Sequence, residues 1–77
     1  MRDIKTFIQE DLIAECAITG LEVGDLVSWV NAAGVKWENK VIGFNLTDEY
    51  NAKYEKYVHL DTDSFWFPYS HKELTKI

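Results

Sequence analysis

The chain is poor in the residues that usually announce a chemistry. It has one cysteine, Cys16, among 77 residues. A lone thiol forms no internal disulfide, and no second cysteine is present for a thiolate zinc site. There is one proline, Pro68, and the four glycines, Gly20, Gly24, Gly34 and Gly43, stand apart from one another. No glycine loop cradles a phosphate; these glycines read as turn and bend residues. No apolar run approaches the roughly 18 residues of a membrane span. The opening MRDIKTFIQEDL sets acids within its apolar stretch, unlike a secretory signal. The expected compartment is the cytoplasm, without membrane association.

Positive charge is also scarce. Eight Lys and Arg face thirteen Asp and Glu, for a net charge of −5. Residues 1–25 carry −4, with Asp3, Glu10, Asp11, Glu15, Glu22 and Asp25 against Arg2 and Lys5. Residues 46–63 carry −3, and the two remaining stretches +1 each. With no basic stripe, the phosphate contacts that dominate nucleic-acid affinity lack a footprint. An acidic surface serves solubility and can also meet a basic partner.

What is present is a folded composition: 47% hydrophobic, 14% aromatic and 27% charged. That is one small globular domain. In DIKTFIQEDLIAEC, residues 3–16, Ile4, Phe7, Ile8 and Leu12 fall at helical spacing behind Asp3, a suitable N-cap. The second half also alternates as a strand would, through Leu12, Ala14, Cys16 and Ile18. After the Gly24-Asp25 turn, Leu26 to Asn31 reads as a strand. Ala32-Ala33-Gly34 closes a hairpin, and VKWENKVIGFN returns, with Glu38-Asn39-Lys40 as a bulge or turn dividing it. Gly43 marks a bend or a close approach of backbone. Residues 46–57 read as a polar excursion with one helical turn near Thr47.

Lys56 to Asp61 reads as a strand with Tyr57 and His59 on one face, Val58 and Leu60 on the other. Asp61 to Ser64 is a turn. Phe65 to Phe67 is expected as a short strand that pairing leaves at Pro68. A single helical turn at Ser70 to Glu73 and a closing strand from Leu74 to Ile77 complete the chain. The aromatic cluster of DSFWFPYSHKEL is expected to serve mainly the core. About five short strands at near ten-residue spacing predict a mainly β protein, a small barrel preceded by a short helix.

Several stretches carry a resemblance. FWFPYSHKEL is similar to the end of an SH3-like barrel, where an aromatic-proline strand leads through one 3₁₀ turn to the last strand. VGDLVSW resembles the first strand of such barrels, and NAAGVKWENKVIGF the following hairpin. Over residues 22–77 the chain also resembles short, mostly uncharacterised proteins of enterobacterial phages and plasmids. The resemblance implies an SH3-like barrel over 21–77 and leaves the N-terminal segment unexplained; the helical segment over 1–20 rests on its own periodicity. It implies little about activity. The early ALYDY-like stretch of proline-binding SH3 domains is missing.

The chemical constellations have plain structural readings. Asp61 and Asp63 are spaced as a carboxylate pair, but the glycine and distal glutamate of a calcium loop are missing. His59 and His71 show no metal or catalytic spacing with each other or with Cys16. His59 reads as a half-buried strand residue, His71 as an exposed one. No acid–base or nucleophile set stands out, so no enzyme, metal or cofactor is expected.

The aromatic surplus is the best functional signal. Trp29, Trp37, Tyr50, Tyr54, Tyr57, Trp66 and Tyr69 are too many rings for so small an interior. Rings left outside beside acids suit a protein interface. The expectation is a protein-binding module with Trp66, Tyr69, Tyr50, Tyr54, Asp48 and Glu49 as its binding residues. As a mobile-element accessory factor it would bind and inhibit a host protein, such as a defence component. A nucleic-acid-binding barrel is the alternative, with Lys36, Lys40, Lys53, Lys56, Lys72 and Lys76 gathered on one face. The Ile4, Phe7, Ile8, Leu12 face would cover the barrel or pair two copies of the chain as a homodimer.

Overall fold

The computed structural model describes residues 3–47 and 49–77, without the side chain of Tyr50. The described elements run α1 (Ile4–Asp11), β1 (Glu15–Cys16), β2 (Leu21–Glu22), β3 (Leu26–Val30), β4 (Lys36–Phe44), α2 (Glu49–Lys53), β5 (Val58–Leu60), a 3₁₀ turn (His71–Glu73) and β6 (Thr75–Lys76). The protein is mainly β. Its strands form two antiparallel sheets, a β1-β2 pair and a four-stranded sheet ordered β5-β4-β3-β6, and neither closes into a barrel.

Helix α1 begins where the Asp3 carboxylate accepts the Thr6 N–H at 2.8 Å, the N-cap the sequence predicts. It is shorter than the full 3–16 segment. At Leu12 the backbone becomes extended, and Ile13 exchanges both backbone hydrogen bonds with Phe44, at 2.8 and 2.9 Å. The strand alternative therefore applies only in part, at Ile13 and at Glu15–Cys16, while Ile18 lies in the turn that follows. Gly43 makes this crossing possible, because a Cβ there would lie 2.8 Å from the Leu12 Cβ.

The β3-β4 hairpin turns on Asn31, whose Oδ1 accepts the N–H groups of Ala33 and Val35, and on Gly34 at φ 81°, the left-handed conformation glycine adopts without strain. Register pairs Val27 with Asn39 and Trp29 with Trp37. The division expected at Glu38-Asn39-Lys40 does not occur; β4 runs unbroken through it. The irregularity sits between Val41 and Gly43, where the register against β5 shifts. Residues on both sides of the shift thereby reach the interior: Val41, Gly43 and Phe44 are all buried.

Val27, Val41, Phe44, Val58 and Leu60 are fully buried and form the core with Cys16 and Leu21. This corrects the expectation that the aromatic cluster is mainly core. No strand forms at 65–67; the segment is a turn closed by Phe67 N–H to the Ser64 carbonyl. Trp66 and Phe67 are about half exposed, since turn residues lack the alternation that would send one face inward. Pairing resumes after Pro68, where Tyr69 exchanges backbone bonds with Val58 at 2.7 and 3.0 Å. Ser70 then caps the 3₁₀ turn in a capping box with Glu73, and β6 pairs with β3 at Val27 and Ser28.

His59 is also corrected. It is 3% exposed rather than half-buried. Strand β5 is covered on both faces, with Val58 and Leu60 toward the core and His59 under Phe7 of α1. His71 is partly buried rather than exposed.

Candidate functional site

Two aromatic clusters organise the surface. The first is closed around Phe7 and His59, with Trp66 half exposed at its edge. Phe7 meets the His59 ring at 5.1 Å and the Phe65 ring at 5.5 Å, and Trp66 stands edge-on to Phe65 at 5.2 Å. The His59 Nδ1 lies 2.9 Å from the Phe65 carbonyl. A carbonyl only accepts, so Nδ1 carries the proton and donates. Burial holds the imidazole below its ordinary pKa, against the opposing effects of the carbonyl bond and the Asp11 carboxylate. This cluster fastens α1 and the 61–67 turn to the back of β5.

The second cluster is an open row. Trp37 stacks on Trp29 at 6.3 Å, Trp29 meets Tyr69 at 5.1 Å, and Tyr69 meets Phe67 at 5.8 Å. Its position follows from strand alternation. Val27 and Trp29 share one face of β3; Trp37, Asn39 and Val41 share the matching face of β4. Val27 and Val41 are in the core, while the Trp pair is one step nearer the hairpin tip. There β3 also runs beyond its pairing with β6, which ends at Ser28. The core face thus runs out into solvent, and Trp37 is 49% exposed. The row is held in place: the Trp29 indole N–H donates to Asn39 Oδ1 at 3.0 Å, and the backbone pairing to Val58 fixes Tyr69. Burial pushes the Tyr69 phenol above its ordinary pKa.

Beside the row lies a groove of about 360 Å³ whose walls include Trp29, Trp37, Asn39, Asp61, Asp63 and Tyr69. Asp61 also anchors the turn, accepting the Lys40 backbone N–H at 2.8 Å. A hollow on the far side of Trp29 is lined by Lys56, Phe67 and Glu73, with the Lys56 ammonium 5.9 Å from the Phe67 ring centroid. A larger concavity, about 650 Å³, borders β1 and β2. Its walls are small aliphatic residues with Glu15 and Glu22, a set with few convergent polar groups to orient a ligand.

The predicted binding residues are dispersed. Tyr69 is in the open row and Trp66 in the closed cluster. Tyr54 and Glu49 are exposed at and beside α2, with the Lys53 ammonium over the Tyr54 ring. Tyr50 has its backbone in α2; its side chain, and Asp48 altogether, lie outside the described residues. Trp29, Trp37 and Phe67 complete the row although none was among the predicted binding residues. The signal for the Trp pair was available: the two stand symmetrically about the Ala33 turn centre, so any tight hairpin there sets them opposite one another.

Among the described residues no group of three or more His, Cys, Asp or Glu side chains gathers as metal ligands. No described helix is long and apolar enough to cross a membrane. Comparison with protein-family models, curated proteins and solved structures finds no match.

Proposed function

We propose that this protein is a non-enzymatic protein-binding module that recognises its partner through the open row of Trp37, Trp29, Tyr69 and Phe67. The observation that carries the reading is the exposed continuation of the core face at the hairpin tip, held rigid and left uncovered. Aromatic rings in such a position supply interface energy at low entropic cost. The acidic balance of the chain favours a partner with a basic surface. The path from Tyr69 through the capped 3₁₀ turn to β6, which returns to β3, supports an SH3-like arrangement of the strands. On the resemblance of residues 22–77, the protein is a cytoplasmic accessory factor of a phage or plasmid that binds and inhibits a host protein, a defence component being one such target.

The lysines give the nucleic-acid reading little support. Lys72 pairs with Glu55 and Lys76 with Asp25. Lys53 and Lys56 lie over rings of their own chain. Lys36 and Lys40 alternate onto the face of β4 opposite the Trp pair.

The test is affinity capture from an enterobacterial lysate with wild type, Trp37→Ala and Trp66→Ala, each shown to be folded by circular dichroism. A specific protein retained by wild type and Trp66→Ala and lost with Trp37→Ala is the expected outcome. Retention of nucleic acid that salt releases, with no protein dependent on Trp37, would overturn the reading.

A further inference from the structure

The groove beside Trp29 has an unusual balance of groups. Three rings, Trp29, Trp37 and Tyr69, and two carboxylates, Asp61 and Asp63, form its walls, and among the described residues no lysine or arginine does. Ring faces are negative by their quadrupole, and the carboxylates add full charges. Elsewhere in the chain two exposed rings have their own cation: Lys56 stands over Phe67 and Lys53 over Tyr54. The groove has the negative wall without the positive occupant. Among the described residues no cation pairs with Asp61 or Asp63, while Asp25 and Glu55 each have a lysine.

We infer that the groove is a receptor for an arginine side chain presented by the protein partner, an inference that rests on the proposed protein-binding function. A guanidinium is planar and weakly hydrated, stacks on aromatic faces, and pairs with carboxylates through a fork of N–H donors. The parallel Trp pair, tilted by only 21°, offers a flat face, and Asp63 an acceptor. An ammonium would satisfy the charge without the stacking. A nucleotide base would also stack, but its phosphates would have to run past Asp61 and Asp63, where repulsion opposes them.

The experiment uses the full chain and a short Gly/Ser peptide carrying two arginines. Its counterparts carry lysine or the uncharged isostere citrulline, and a single-stranded oligonucleotide is a fourth probe. Binding is read by tryptophan fluorescence at physiological salt. The arginine peptide should bind about tenfold more tightly than the citrulline peptide, with lysine between. Trp37→Ala and Asp63→Asn, both at exposed positions, should each remove most of that difference while the fold persists. Equal binding of arginine and citrulline peptides, no binding of either, or tighter binding of the oligonucleotide would overturn the inference. If the peptides fail while lysate capture still depends on Trp37, the arginine assignment falls and the protein-binding reading stands.

Discussion

Phe7, His59, Phe65 and Trp66 meet on one side of β5; Trp37, Trp29, Tyr69 and Phe67 meet at the tip of the β3-β4 hairpin. Both clusters are mainly aromatic, with ring centroids 5.1–5.5 Å apart in the first and 5.1–6.3 Å apart in the second. They differ in what covers them. A helix lies on the first, so burial makes Phe7 and His59 part of the architecture. The second continues a core face beyond the buried residues, and at Trp37 about half of the ring stays exposed. Ring content therefore does not separate an architectural cluster from a recognition surface; coverage does. The stretch FWFPY divides between the two: Phe65 joins Phe7 and His59, Trp66 stands half exposed at that cluster's edge, and Phe67 and Tyr69 join the open row.

The sharpest way to break this comparison is truncation on each side of it. Phe7→Ala removes the ring that fastens α1 over His59 and Phe65. It should cost about 3 kcal/mol, enough to lower the melting temperature of so small a domain by more than 10 °C, roughly estimated. Thermal unfolding by circular dichroism measures it, and an unchanged midpoint would mean the helix is not the lid described here. Gly43→Ala places a methyl against Leu12 at the same crossing and should cost about 1–3 kcal/mol. Urea unfolding checks this, and a neutral substitution would disprove the close approach.

Acidity probes the covered cluster without mutation. The folded state holds His59 neutral, with its pKa below the unfolded value. The unfolded chain therefore binds the extra proton first as pH falls through about 6.5. His59 contributes stability that is present above that pH and is lost below it, down to the folded pKa. The urea midpoint should fall between about pH 7 and pH 5.5 in wild type and fall less in His59→Phe; equal slopes would contradict the buried neutral imidazole. The smallest effect is expected at the open row. Trp37→Ala should cost no more than about 1 kcal/mol, because half of that ring is already in water. A loss as large as that of Phe7→Ala would make the row architectural.

Local signals in the sequence carried much of the fold. The Asp3 cap, the hairpin at Asn31–Val35, the close approach at Gly43 and the 3₁₀ turn behind Ser70 each depend on a few neighbouring residues, and each forms as read. Apart from the break expected at Glu38-Asn39-Lys40, which β4 runs through, what failed was non-local. Nothing near His59 tells that α1 will cover it, so alternation alone made it half-buried. The 65–67 segment has strand composition but no free partner edge, since Val58 takes Tyr69 instead. The binding row suffered in the same way. Tyr69 stands in the aromatic stretch that the sequence singles out, whereas Trp29 and Trp37 meet through the hairpin register, and their exposure depends on what packs over that face.

The most direct test is to label the indole nitrogens of the three tryptophans and follow their NMR signals. The full chain is titrated with whichever protein wild type retains from lysate. The account predicts that the Trp29 and Trp37 signals shift or broaden while that of Trp66 stays in place. A response at Trp66 with Trp29 and Trp37 unmoved would place recognition on the covered cluster and contradict the account.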